Sequence, residues 1–204
     1  PIGCVTCLCI KESEGNGMSE TENQYDLVQR ILHWLIALAI LAMIAIGLYM
    51  VQLPKEWELP PGQESVRAFW FLLHKSLGIS VAVLILLRIA WRLSHKAPQL
   101  PSYIPSWQQR LSGGVHGLLY LLMVAMPFTG YLQSMYSKYD TKLWGIVLPR
   151  LAEADPDMRE YFSEIHEILA FTLIAILVIH IGAAVKHRLS GNTINQRMSL
   201  FSRK

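Results

Sequence analysis

Four long apolar runs, roughly residues 31–51, 69–91, 114–136 and 163–185, dominate this chain and limit what it can become. Each has the about 20 residues a helix needs to cross a hydrocarbon layer. Inside lipid every backbone polar group must be satisfied within the segment, so the runs predict four transmembrane helices. The third contains Pro127 and Gly130, which predicts a kink. Composition agrees: 52% of the residues are hydrophobic and 16% charged, where a soluble domain carries about 25% charged. The loops are too short for a second domain, although 136–162 has room for a small amphipathic helix. The predicted fold is therefore all-α, an antiparallel four-helix membrane bundle over residues 25–197. Residues 1–24 are expected to be an extension outside it, and 198–204 a basic cytoplasmic tail.

Charge between the runs sets the orientation. Arg88, Arg92, Lys96 and Arg110, between runs two and three, face no acidic residue. Lys186, Arg188, Arg197, Arg203 and Lys204, after run four, face none either. The first loop mixes Glu56, Glu58 and Glu64 with Lys55 and Arg67, and the third loop is also mixed. Both ends of the bundle domain are thus expected on the cytoplasmic side, with loops 52–68 and 137–162 outside. Six tryptophans, Trp34, Trp57, Trp70, Trp91, Trp107 and Trp144, fall near the expected interfaces. A net charge of +3 gives no argument for nucleic acid. Cys4, Cys7 and Cys9 have no second cysteine or histidine pair nearby to complete a metal site. The apolar stretch among them is too short for a signal peptide, and Met18 opens a more ordinary cytoplasmic start.

The fourth run carries a histidine near each side of the membrane, in "HEILAFTLIAILVIH". His166 and His180 are 14 residues apart, roughly 21 Å along a helix and within about 40° of the same face. Depth then sorts the other histidines. His33 opens run one on the inner side, level with His180, and His74 opens run two on the outer side, level with His166. Ionisable groups inside a membrane are costly and usually functional. Two imidazoles at one depth suit a bis-histidine haem b held between helices, and the pattern repeats at two levels. Mononuclear zinc would call for a third converging ligand, which the outer level lacks.

Small residues available to face the macrocycles are Gly78, Ser80, Ala82, Ala170, Gly182 and Ala183. Arg30, Lys75, Arg88 and Arg110 are candidate cations for the propionates. His116, early in run three, has three readings: a haem ligand in place of His33, a propionate contact, or part of a quinone pocket. His95 and His187 read as headgroup or solvated residues, and Met43, Met50, Met123 and Met126 as lipid-facing or core filling.

The stretches "YDLVQRILHWLIA", "FWFLLHKSLGISVAVLILLRIAWRL", "GVHGLLYLLMVAMPFTGYL" and "EIHEILAFTLIAILVIHIGAAVKH" resemble the bacterial cytochrome b561 family, in order, from about Tyr25 to Arg197. That family comprises small four-helix dihaem membrane proteins related to the cytochrome b subunits of nickel–iron hydrogenases. The resemblance implies haem ligands at His33, His74, His166 and His180, the four that depth selects, and a haem or quinone contact at His116. It implies electron transfer through two b haems with ubiquinone or a related quinone as partner. Family members include a superoxide oxidase, for which Lys75, Arg67, Lys138, Lys142, Arg150 and Arg159 are candidates for a cationic outer funnel. Six acids in 137–164 weigh against strong net focusing there. A subunit served by a separate periplasmic donor is the next reading, and a non-redox transporter or assembly subunit the third.

Overall fold

The computed structural model describes residues 24–55, 58–61, 65–98, 104–190 and 193–200. The three cysteines, Glu56, Trp57, Glu64, Arg203 and Lys204 lie outside them. Four helices make up most of the described chain: α1 Leu27–Met50, α2 Arg67–Ser94, α3 Ser106–Met135 and α4 Pro156–Leu189. Each is long and apolar enough to cross a membrane.

Helices α1 and α4 begin ahead of their apolar runs, where side chains cap their first turns. Asp26 accepts from the Gln29 amide at 2.9 Å and starts α1. Asp155 accepts from the amides of Asp157 and Met158, and Pro156 fits the first turn of α4, where its missing N–H costs nothing. Lys186, His187 and Arg188 oppose the dipole at the other end of α4. Pro127 lies inside α3, as expected.

Loop 136–162 departs from expectation. In place of an amphipathic helix it holds a hairpin, β1 Lys142–Leu143 against β2 Ile146–Val147. Trp144 (φ 50°) and Gly145 (φ 94°) form its two-residue turn. Two positive φ values in sequence are the mark of the hairpin turn that matches strand twist. The tip rests on α2, where the Trp144 amide donates to Ser76 Oγ at 3.0 Å and its indole N–H to Ser80 Oγ at 3.1 Å.

At the opposite end, residues 193–199 fold back over the start of α1. The Trp34 indole donates to the Met198 carbonyl at 2.8 Å and Arg30 Nη1 to that of Ser199 at 2.7 Å. The guanidinium groups of Arg92 and Arg197 lie 4.9 and 5.6 Å from the centre of the Tyr25 ring. Met198 and Ser199 thus dock through their carbonyls against the start of α1.

Close packing runs from α1 to α2, α2 to α3 and α3 to α4, while α4 makes at most glancing contact with α1 and α2. One apolar layer crosses the middle: Ile36, Ile40, Val81, Ile85, Leu119, Leu122 and Leu173. Met43, Met123 and Met126 pack against it as fillers. Leu173 stands seven residues from both His166 and His180, so this layer divides two histidine levels.

Candidate functional site

We call the levels inner and outer after the expected orientation. At the inner level the rings of His33 and His180 have centres 6.5 Å apart, with planes at 79°. At the outer level His74 and His166 are 6.4 Å apart, with planes at 81°. These separations can be tested against an iron. A metal–imidazole bond of about 2.0 Å, with the ring centre about 1.2 Å further on, puts two opposed rings about 6.4 Å apart. Both pairs have that spacing, and both span the loosely packed side between α4 and the α1–α2 pair. The residues present fit a bis-histidine haem at each level.

His116 lies closer to His180, at 5.5 Å between ring centres, which is too short for an iron between them. Its Nδ1 faces the Ser112 carbonyl at 2.7 Å, and the residue is exposed. Arg88 is 7% exposed and within Coulombic reach of His33 and His180. Its Nε donates to the Tyr120 hydroxyl at 3.2 Å, while Nη1 is buried with no partner among the described residues. Arg30 Nε is buried and unpartnered in the same way. A buried guanidinium N–H without an acceptor is costly, and a carboxylate would satisfy it. Arg110, by contrast, is exposed on the first turns of α3.

At the outer level the His166 Nδ1 lies 3.2 Å from both Thr129 Oγ1 and the Met126 carbonyl. Two glycines sit against the rings. A Cβ added to Gly130 would stand 3.0 Å from His166 Cε1, and one added to Gly47 would stand 3.4 Å from His74 Cε1. Neither glycine was among the expected small residues. Of those that were, Ser80 is taken by Trp144, Gly78 faces Met43, and Ala82 lines an apolar groove of about 280 Å³ between α2 and α3. The space around Gly182 is open.

A signal for Gly47 and Gly130 does exist in the sequence. The 14-residue step from His166 to His180 recurs on every helix, as His33 to Gly47, His74 to Arg88, and His116 to Gly130. Each helix thus presents one residue to each level. The outer set is Gly47, His74, Gly130 and His166; the inner set is His33, Arg88, His116 and His180.

The expected outer funnel is largely engaged in local bonds. Arg67 donates to the Leu53 carbonyl, Arg150 donates to the carbonyls of Ser137 and Lys138, and Lys138 lies over Tyr139. Lys75 and Arg159 remain within electrostatic reach of each other, and Lys75 has no ion-pair partner among the described residues.

A four-helix membrane bundle with histidine pairs spaced for haem is a membrane electron-transfer protein of the cytochrome b class. Residues 24–199 match the family model described as prokaryotic cytochrome b561, and the chain belongs to that family. It is 31% identical over 176 residues to "Cytochrome b561 homolog 2" of Escherichia coli (strain K12), covering 83% of this chain and 87% of that protein. It is 25% identical over 169 residues to "Cytochrome b561 homolog 1" of the same strain, covering 81% and 90%. A third relative, "Probable superoxide oxidase CybB" of Yersinia pestis, is 25% identical over 178 residues, covering 86% and 96%.

Proposed function

We propose that the chain binds two b haems, His33 with His180 at the inner level and His74 with His166 at the outer, and passes electrons from the outer face to a quinone in a bacterial inner membrane. Two imidazole pairs of iron-spanning separation, sharing one helix at a 14-residue step, are the observation that carries this reading. Bound there, haem b supplies a one-electron couple at each level. The protein's own residues do the rest. Its helices hold the four imidazoles, Arg88 and Arg30 offer buried N–H groups to the inner propionates, and Lys75 offers an ammonium at the outer level. His116, too near His180 to share an iron with it, contacts a propionate or the quinone. The Leu173 layer keeps water from joining the two levels. Both termini of the bundle face the cytoplasm, in line with the basic loop and basic end.

Superoxide is the proposed donor. Two superoxide anions each lose one electron and leave as dioxygen, and one quinone takes two electrons and two protons to become quinol. The name of the Yersinia pestis relative supports this, as do Lys75, next to His74 in sequence, and Arg159 within electrostatic reach of it. A pyridine haemochrome assay on fully loaded protein tests the cofactor and should give two haems b per chain; one or none sinks the assignment. Stopped-flow reduction by superoxide tests the donor. Exposed-charge steering fades as salt shortens the Debye length from about 10 Å at 0.1 M towards 3 Å at 1 M. The rate should fall with salt, and several-fold further in Lys75→Glu; a rate indifferent to both would favour a separate periplasmic donor.

A further inference from the structure

The turn Met126–Gly130 of α3 treats His166 differently from the other three histidines. Pro127, inside α3, has no N–H to give the carbonyl one turn back, so one backbone hydrogen bond is missing here. Thr129, only 7% exposed, turns its hydroxyl along the helix, 3.0 Å from the carbonyls of both Ala125 and Met126. Its one proton is committed there, and its lone pairs face α4. His166 Nδ1 lies 3.2 Å from that oxygen and 3.2 Å from the Met126 carbonyl. A carbonyl can only accept, so Nδ1 carries the proton and Nε2 keeps the lone pair. Gly130 permits the approach, since a Cβ there would lie 3.0 Å from the ring. Among the described residues, His74 Nδ1 has no partner at all.

We infer that Thr129, the Met126 carbonyl and Gly130 form a positioning socket that fixes His166 as an Nδ1–H donor and holds the outer haem at a lower reduction potential than the inner one. This rests on the ligand assignment proposed above. An imidazole that donates its second N–H to oxygen acceptors becomes a more basic metal ligand. A more basic ligand favours the oxidised iron, and such hydrogen bonding is one of the protein's levers over potential. At the inner level the register-equivalent neighbours are Arg88 and His116, and the buried Arg88 cation favours the added electron more than the half-buried Lys75 ammonium does at the outer level. The resulting gradient runs from outer to inner, the direction a donor on the outer face requires.

Redox titration of the full-length, doubly loaded protein, followed optically and by EPR, tests this. Thr129→Val should raise the lower-potential couple by up to about tenfold in its one-electron equilibrium, about 59 mV. The same couple should be the one missing from His74→Ala. Thr129→Ser keeps the hydroxyl and should stay near wild type. Gly130→Ala should alter the EPR signal of that couple alone. Equal shifts in the valine and serine variants, movement of the other couple, or no movement at all would overturn the socket. Wild-type protein with fewer than two haems would instead sink the ligand assignment, before any variant is made.

Discussion

The two levels share one register but are finished with different chemistry. At the outer level, the positions beside the paired histidines are Gly47 and Gly130, which bring backbone close to the imidazoles. Inside, the equivalent positions are Arg88 and His116, which bring charge and hydrogen-bonding capacity. A glycine neighbour gives a close, rigid seat and leaves little room for water. Arg88 and His116 would suit the propionates and quinone headgroup proposed for that end. The helix pitch repeats the scaffold, and side-chain choice makes the two levels unequal.

The largest effect should come from the ligands themselves. His74→Ala or His166→Ala should each remove or convert to high spin one and the same haem, and His33→Ala or His180→Ala the other. Optical and EPR spectra of the four variants check this. The near-perpendicular ring planes, 79° and 81°, should give both wild-type sites strongly anisotropic low-spin ferric signals. If His74→Ala and His180→Ala lose the same haem, the division into levels fails.

A smaller effect should follow from the outer glycine on α1. At 3.4 Å a Cβ on Gly47 is in ordinary contact with His74, so Gly47→Ala should retain the outer haem. Leucine would drive its branch into the ring, and overpacking a close-fitting site typically costs 1–3 kcal/mol, about five- to 160-fold. Gly47→Leu should therefore lower outer-haem occupancy by at least about fivefold while the inner haem stays. Equal loss in both variants would mean that Gly47 acts on α1 packing rather than on the His74 seat.

How much of this was legible in the sequence depends on whether the signal was periodic or local. Helix number and the four histidines stand out because lipid demands long apolar runs, in which a polar ring is conspicuous. Gly47, Gly130 and Arg88 follow the same 14-residue step, but a glycine in a membrane helix is common and draws no notice. The hairpin was illegible for a different reason. Its turn is Trp144-Gly145, not the Asn-Gly or Asp-Gly that usually marks two positive φ values. The clasp of residues 193–199 over α1 uses the carbonyls of Met198 and Ser199 as acceptors, and every residue type offers a carbonyl. Thr129 was hidden for the same reason, since its role depends on a partner 37 residues away.

The smallest expected effect makes the sharpest test of the inner level. His116 and His33 both approach His180, at 5.5 and 6.5 Å between ring centres. Only the longer separation admits an iron with two bonds of about 2.0 Å and the ring radii behind them. Trimming His116 should therefore leave both haems in place, with normal haemochrome yield and low-spin signals. What changes should be confined to the inner level, because Gly130, its register partner, already occupies the outer one. His116→Ala should shift the inner optical band slightly and slow quinone reduction by a few-fold, with outer-haem reduction by the donor unchanged. His116 also holds its Nδ1 on the Ser112 carbonyl, so His116→Gln, which keeps a polar side chain there, should recover part of the quinone rate. Loss of a haem in His116→Ala, with His33→Ala retaining both, would reassign the inner ligand and leave His33 a packing residue.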